Sequence, residues 1–126
     1  MSMRIRRGIL LASKSAGQRI QAGYRAAMSP IPLKPEKLAA ALSTLSGWEQ
    51  HGPAITKTWK FKTYLAGIDF VNEVAKAAEA LDHHPDLNVG WRKVQATLST
   101  HVSNGLTEFD IELARQMDKI YETHGA

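Results

Sequence analysis

Residues 79–110 hold the side chains of this chain that are best suited to moving protons. They include three of the five histidines, His83, His84 and His101, together with the carboxylates of Glu79 and Asp110. Imidazole has an unperturbed pKa of about 6.5, which allows it to donate and to accept a proton near neutral pH. Glu79 lies four residues before His83, and on a helix this spacing places both on one face, where the carboxylate can orient the ring. These residue types predict general acid–base chemistry.

Each of these residues also has a purely structural interpretation. Histidines at the end of a helix interact favourably with its dipole, and Glu79 with His83 can form an ordinary surface pair. His101 can be a surface residue at the end of a strand, and Asp110 can complete a helix cap that Thr107 opens. For any one residue alone the structural interpretation is favoured, so only the joint spacing can argue for chemistry.

A metal centre is a second chemical possibility for the same residues. Imidazole nitrogens and carboxylate oxygens are zinc ligands, and three histidines with Glu79 or Asp110 would supply enough of them. His83 and His84 are adjacent, however, and lack the i,i+4 spacing that brings two ligands to one face of a helix. We therefore expect no metal. The chain has no cysteine, so it has no disulfide, thiolate metal site or cysteine nucleophile.

Hydrophobic periodicity predicts three helices. A short helix is expected over residues 35–43, a long one over residues 65–82, and a last one that opens at residues 107–110, where a threonine precedes an acid by three residues. Pro85 marks the end of the long helix. Apolar side chains recur at helical spacing along the long helix, at Leu65, Ile68, Val71, Val74, Ala75, Ala78 and Leu81.

Alternation of apolar and polar residues predicts the strands. Residues 54–62 alternate in this way and form a hairpin with a short strand over residues 48–50. One longer strand is predicted over residues 89–101, with Trp91 and His101 on its more polar face. The order helix-strand-strand-helix-strand-helix predicts an α+β fold, in which helices pack on one face of an antiparallel sheet.

The basic residues are concentrated at the N-terminus. Residues 1–35 contain seven basic and no acidic residues, whereas residues 36–126 contain nine basic and twelve acidic ones. The first 35 residues therefore account for the positive net charge of +4. A nucleic-acid-binding domain would carry its basic patch on the folded surface, so we expect no nucleic-acid partner. No apolar run approaches the roughly 18 residues of a membrane span, so we expect no membrane span.

We predict a basic extension and linker over residues 1–32 and one folded domain over residues 33–126. Residues 1–28 are rich in Arg, Ser and Ala and contain no acid, a composition typical of mitochondrial transit peptides. The same composition also suits a basic tail without a targeting role. The expected location is mitochondrial if the extension is a transit peptide and cytoplasmic otherwise.

The joint spacing of the central residues resembles the signature of a known family. The chain reads Glu-x3-His-His-Pro-x5-Trp-x9-His-x8-Asp from Glu79 to Asp110, which is similar to the signature of the pterin-4a-carbinolamine dehydratases. The neighbouring segments LDHHPD at 81–86, LSTH at 98–101 and GLTE at 105–108 also look like this family. The resemblance covers residues 33–123, almost the whole predicted domain.

This resemblance implies a reaction and an architecture. The reaction is dehydration of 4a-hydroxytetrahydrobiopterin to quinonoid dihydropterin, which recycles the pterin cofactor after aromatic amino acid hydroxylation. The implied fold is α+β, the implied assembly is a homodimer or homotetramer, and neither a metal nor a cofactor is implied.

The resemblance also implies roles for particular residues. His83 and His101 are the candidate proton-transfer pair, His84 would bind the pterin or share the role of base, and Asp110 would orient an imidazole or bind the pterin. The implied catalytic set is therefore His83, His84, His101 and Asp110. The implied substrate-binding set is Glu79, Pro85, Ser99, Thr100 and Trp48. Trp48 and Trp91 can equally be core or sheet aromatics, with stacking on a flat heterocycle as the functional alternative.

Two positions depart from the family pattern. Phe109 stands where some animal members carry a basic residue, and Trp91 replaces a more usual tyrosine. Other branches of the family act as a dimerisation cofactor for a homeodomain transcription factor or assist Rubisco assembly. A non-catalytic scaffold is thus the alternative function, although the complete signature in this chain favours an enzyme.

Overall fold

The computed structural model describes residues 28–125. Within this range three α-helices and four β-strands follow one another in the order α-β-β-α-β-β-α, which confirms the predicted α+β class. A 3₁₀ turn, His101–Ser103, precedes the last helix and a π-helical turn, Tyr121–Gly125, follows it. The helices and strands are α1 (Pro35–Leu42), β1 (Glu49–His51), β2 (Ala54–Lys60), α2 (Tyr64–Leu81), β3 (Asp86–Gly90), β4 (Lys93–Leu98) and α3 (Glu108–Ile120).

The strands form one antiparallel sheet in the order β1-β2-β4-β3. β2 pairs with β4 from Ile55 opposite Leu98 to Lys60 opposite Lys93. β3 pairs with β4 and lies at the edge of the sheet. The predicted hairpin of β1 and β2 is confirmed.

The single strand predicted over residues 89–101 is wrong. Two strands, β3 and β4, occupy this region, and Trp91 and Arg92 form the turn between them. Arg92 has a left-handed φ of 61°, a conformation that two-residue hairpin turns usually assign to Asn or Gly. Because neither turn residue signals a turn, the alternation running through β4 concealed the break. β4 ends at Leu98 and His101 lies in the 3₁₀ turn, so Trp91 and His101 do not share a strand face.

The core lies between one face of the sheet and helices α2 and α3. The apolar face predicted for α2 is partly wrong, because Leu65 is 69% exposed whereas Phe70 is completely buried. The Phe70 ring lies 4.9 Å from the ring of Trp59 and 5.3 Å from that of Phe61, so aromatic contacts with β2 and its end set the rotation of the helix. The sheet buries Ile55, Trp59, Val94, Ala96 and Leu98, and α2 buries Gly67, Phe70, Val74, Ala78 and Leu81.

The two ends of α2 have defined caps. At the start, the Thr63 hydroxyl accepts a hydrogen bond from Ala66 N–H at 3.0 Å. At the end, Asp82 adopts a left-handed conformation with φ of 52°, which L-residues other than Asn and Asp rarely adopt. This turn changes the direction of the chain immediately before His83 and His84, so the helix does not continue through the histidine pair.

Residues 28–34 precede α1 and lie along the folded body. The Leu33 N–H donates to the Leu106 carbonyl at 2.8 Å, and Met28 and Leu33 pack against the core. The division into extension and domain stays a prediction, and residues 1–27, which make up most of the predicted extension, lie outside the described residues. Within residues 28–125, no helix has both the length and the apolar character that a membrane crossing requires.

Candidate active site

The ends of three elements meet around the carboxylate of Asp110, which is completely buried. Its Oδ1 lies 2.7 Å from Nε2 of His83, which follows the end of α2. Its Oδ2 accepts hydrogen bonds from the hydroxyl of Thr100, after β4, at 2.7 Å and from the N–H of Thr107, before α3, at 2.9 Å. Burying a carboxylate costs desolvation free energy, which hydrogen bonds from such donors offset. Asp110 therefore fixes the three ends relative to one another.

The position of Asp110 follows from the local sequence at the start of α3. Thr107 is the N-cap and Asp110 the third helical residue, and their side chains form a capping box, which confirms the predicted cap. The Thr107 hydroxyl accepts from Phe109 N–H at 3.2 Å and lies 2.8 Å from the hydroxyl of Thr100. The cap does not exclude a chemical role for Asp110, because one carboxylate oxygen completes the cap while the other contacts the imidazole of His83.

His83 is held on two sides. Its side chain is 13% exposed, and its ring centroid lies 5.6 Å from that of Phe109. A carboxylate can only accept hydrogen bonds, so the contact with Asp110 places the proton of a neutral His83 ring on Nε2. The other ring nitrogen, Nδ1, is then the acceptor of that ring. This arrangement suits an imidazole that takes up a proton.

His84 pairs with the second carboxylate. Its Nε2 forms a hydrogen bond with Oε2 of Glu79, and the two side chains are 41% and 48% exposed. The predicted pairing of Glu79 with His83 is wrong, because the left-handed turn at Asp82 ends the helix before His83. The two adjacent histidines consequently contact different carboxylates, one in the interior and one at the surface.

The remaining predicted residues near this cluster have different surroundings. Pro85 is half-buried before β3, and Ser99 is half-buried between β4 and Thr100. Thr100 is 6% exposed, and its hydroxyl donates to the Asp110 carboxylate and contacts the Thr107 hydroxyl. The backbone of His101 starts the 3₁₀ turn, whereas its side chain lies outside the described part of the structure.

Trp48 belongs to a separate polar cluster around Asp118. The Trp48 indole N–H donates to Oδ2 of Asp118 at 3.0 Å, and Lys57 Nζ and Trp59 Nε1 reach Oδ1 at 2.6 Å and 3.2 Å. Trp48 is buried and meets Trp59 edge-on, with ring centroids 5.4 Å apart. Asp118 lies two turns of α3 beyond Asp110, about 12 Å along the helix. Trp48 therefore has a structural role in this cluster, away from Asp110.

Trp91 lies at the far end of β3 from the histidine pair. Its side chain is 72% exposed, and the guanidinium of Arg92 lies 4.7 Å from its ring centroid. The five residues of β3 lie between it and Pro85, so the two are roughly 20 Å apart along the strand. Within the described residues of one chain, Trp91 is therefore not brought together with His83 and His84.

Among the described residues, the histidine pair belongs neither to a metal-binding cluster nor to the main groove. Among the side chains that the structure describes, no three His, Asp or Glu residues lie close enough to hold a metal ion. A groove of about 1210 Å³ is lined by Lys57, Asp118 and Tyr121, and no histidine whose side chain the structure describes lines it. The convergence of imidazoles and carboxylates, and not cavity volume, therefore marks the candidate site at Asp110.

The family model described as pterin 4 alpha carbinolamine dehydratase matches residues 31–120 of this chain. The chain belongs to the pterin-4a-carbinolamine dehydratase family. A relative from Mycolicibacterium vanbaalenii, which bears the provisional name pterin-4-alpha-carbinolamine dehydratase, is 46% identical over 88 residues, covering 70% of this chain and 95% of the relative. A relative of the same provisional name from Mycobacterium tuberculosis is 43% identical over 89 residues, covering 71% and 95%.

Solved structures of pterin dehydratases and related proteins share the fold. A protein of Brucella melitensis, described as a transcriptional coactivator/pterin dehydratase, is 40% identical with a TM-score of 0.69, over 71% of this chain and 97% of that chain. A pterin dehydratase-like protein identified as a RuBisCO assembly factor in the alpha-carboxysome is 24% identical with a TM-score of 0.50, over 58% and 84%. This second likeness concerns the fold alone.

In this member of the pterin-4a-carbinolamine dehydratase family, the structure adds Thr107 and Phe109 to the residues around the predicted site. The Thr-x-x-Asp pattern was a signal for Thr107, although only for its role as a cap. The departure from the family pattern drew attention to Phe109, but its contact with His83 was not predictable, because it depends on how the end of α2 packs against α3.

Proposed function

We propose that this protein dehydrates 4a-hydroxytetrahydrobiopterin to quinonoid dihydropterin by general acid–base catalysis with histidine. The observation that carries the proposal is the pairing of adjacent histidines with separate carboxylates, His83 with buried Asp110 and His84 with exposed Glu79. These four residues stand at their positions in the family signature. The provisional names of the relatives point to the same reaction.

The proposed reaction is an elimination of water that needs two proton transfers. The 4a-hydroxyl leaves poorly as hydroxide, so a general acid protonates it and it departs as water. A general base removes the proton from N5, and the electron pair of that N–H bond forms the C4a–N5 double bond. One proton is delivered and one is removed, and no redox change occurs, so the proposed step requires no cofactor. Imidazoles can perform both transfers near neutral pH.

The surroundings of His83 and His84 support a division of roles. In our proposal His83 and His101 transfer the protons, with Asp110 holding the His83 ring in one tautomer so that Nδ1 faces a donor. His84, fixed by Glu79, binds the pterin or shares the role of base. Thr100 acts through Asp110, since its hydroxyl contacts that carboxylate. Pro85 and Ser99 complete the proposed pocket set, whereas Trp48 lies in the separate cluster around Asp118 and is left out of it.

Purified full-length protein is expected to convert chemically prepared 4a-hydroxytetrahydrobiopterin faster than the spontaneous reaction, by about 10²-fold or more if histidine acts as acid or base. The appearance of quinonoid dihydropterin is followed by absorbance, and heat-denatured protein serves as control. A rate equal to the spontaneous one would refute the enzymatic proposal. It would favour a scaffold role, for which the description of the Brucella protein as a transcriptional coactivator is the supporting observation.

We also propose that the protein is a homodimer or homotetramer in which β3 pairs with β3 of a second copy. β3 is an edge strand, and an edge offers backbone groups that a second strand can pair with. Pairing about a two-fold axis that passes through the middle residue of β3, Asn88, would bring Leu87 of one copy near Val89 of the other. Val89 is 39% exposed in the single chain, so such pairing would cover apolar surface.

Val89→Lys is expected to shift the protein from the oligomer towards the monomer, because a charge on an edge strand opposes pairing. Light scattering coupled to size-exclusion chromatography measures the mass. Val102→Lys is the matched control, since it places the same charge on a valine that is 94% exposed outside the strands. A monomeric wild-type protein, or an oligomer that Val89→Lys leaves intact, would contradict the proposed interface.

A further inference from the structure

The loop that carries His101 closes on itself. We call residues 100–105 the His101 loop. The Thr100 N–H donates to the Gly105 carbonyl at 3.1 Å, and the Gly105 N–H donates to the Thr100 carbonyl at 3.4 Å. These two hydrogen bonds form an isolated antiparallel bridge. Between these ends the Ser103 N–H donates to the Thr100 carbonyl at 3.1 Å, and Val102 is 94% exposed. The position of the loop relative to the rest of the protein therefore depends on the contacts that Thr100, at its start, and Ser103 and Gly105, towards its end, make outside the loop.

The near side of the His101 loop is held by the Asp110 cluster. The Thr100 hydroxyl contacts the Asp110 carboxylate at 2.7 Å and the Thr107 hydroxyl at 2.8 Å, in the buried interior. This anchor fixes the residue immediately before His101. The backbone hydrogen bonds of Thr100 link this anchor to Ser103 and Gly105 on the far side of the loop, and the far side also has contacts of its own.

The far side of the His101 loop is held by residues 30–33, which we call the N-terminal strap. The Ser103 hydroxyl donates a hydrogen bond to the Pro30 carbonyl, and the Leu33 N–H donates to the Leu106 carbonyl at 2.8 Å. Pro32 lies over Gly105, since a Cβ built on that glycine would be 3.4 Å from the Cβ of Pro32. The strap thus contacts the loop and the residue after it at three separate positions.

The N-terminal strap is itself suited to hold a neighbour in place. Leu33 packs against the core, and α1 begins two residues later at Pro35. Pro30 and Pro32 have fixed φ angles, so the strap loses less backbone entropy on ordering than another sequence would. These features allow residues 30–33 to restrict the movement of the loop that they contact.

We propose that the N-terminal strap is a positioning element of the active site and that Ser103 is a positioning residue that acts through His101. The proposal rests on the proposed function, in which His101 is one of the two proton-transfer residues. Proton transfer requires hydrogen-bond reach between the transferring atoms, and a misplacement of about 1 Å can lower a rate on the order of 10²-fold. A strap that fixes the backbone of the His101 loop therefore controls the rate without touching the pterin.

Ser103→Ala is expected to lower kcat for dehydration by about three- to tenfold, the effect of losing one hydrogen bond, with a smaller change in KM. Ser103→Thr retains the hydroxyl and is expected to restore kcat. Pro32→Gly leaves the loop sequence intact and loosens only the strap, so it is expected to lower kcat in the same direction. Val102→Ala, at the adjacent exposed position, is the control with unchanged kcat.

A double-mutant cycle separates positioning from a merely structural effect. In a His101→Ala background, Ser103→Ala is expected to cause no further loss of kcat, because there is no His101 side chain left to position. Equal losses with and without His101, or full activity of both Ser103→Ala and Pro32→Gly beside an impaired His101→Ala, would overturn the strap proposal alone. Full activity of His101→Ala would overturn the proposed role of His101 and the strap with it.

Discussion

His83→Ala and His101→Ala are each expected to lower kcat/KM for dehydration of 4a-hydroxytetrahydrobiopterin by about 10²- to 10⁴-fold, the usual contribution of a general acid or base. For His83 the physical reason lies in its ring, whose Nε2 lies 2.7 Å from Oδ1 of Asp110. Because a carboxylate accepts hydrogen bonds, Nδ1 is left as the acceptor of a neutral ring. Initial rates with chemically prepared substrate measure the loss. Circular dichroism and urea unfolding of each variant establish that the fold persists.

His51→Ala is the matched control for these substitutions. It removes an imidazole that is 63% exposed at the end of β1 and contacts Glu49 at 3.4 Å, so wild-type rates are expected. A folded His83→Ala variant with wild-type kcat/KM would remove His83 from the catalytic set. The same result for His101 would leave His84, with Glu79, as the remaining candidate for the second proton transfer.

Asp110→Ala is expected to lower the free energy of unfolding by about 3–5 kcal/mol, because several buried donors lose their acceptor at a cost of about 1–3 kcal/mol each. The substitution leaves His83, Thr100 and the Thr107 N–H without their shared acceptor and removes half of the capping box. Total stabilities are about 5–15 kcal/mol, so the fraction of folded protein should fall measurably. Urea unfolding followed by tryptophan fluorescence provides the measurement, and dehydratase activity should fall as well.

Glu108→Ala is the control for Asp110→Ala, because it removes an exposed carboxylate from the same first turn of α3. Its effect is expected to stay within about 0.5 kcal/mol, as for most surface substitutions. Asp110→Asn separates folding from chemistry, since the amide keeps the shape but can donate to the His83 ring and reverse its tautomer. Wild-type stability of Asp110→Ala would contradict the central place of this carboxylate.

The elements of this fold that carry a strong local pattern are predictable from the sequence. The alternation in β2, the long apolar period of α2 and the Thr-x-x-Asp start of α3 each correspond to an observed element. The rotation of α2 was less predictable, because Phe70 is placed by rings of β2 and its end rather than by the helix itself. The turn at Trp91 and Arg92 was missed because its residues are not turn formers and the surrounding alternation is unbroken.

The candidate site shows the same division between local pattern and tertiary packing. The spacing of the signature indicated which residues belong together, but it could not indicate their partners. Glu79 and His83 have helical spacing, yet the left-handed residue Asp82 makes His84 the partner of Glu79 and turns His83 towards Asp110. A single positive φ in the backbone is not visible in residue spacing, although Asp is one of the few residue types that tolerate it.

The shared carboxylate of Asp110 couples the start of α3 to the occupancy of the site. A pterin that binds only the folded site shifts the folding equilibrium of that site towards the folded form. The first turn of α3 belongs to the site and is stabilised with it. Fraying of the helix start and loss of affinity then become two readouts of one linked equilibrium. Amide hydrogen exchange at Thr107, which is completely buried and donates its N–H to Asp110, would accordingly report ligand binding.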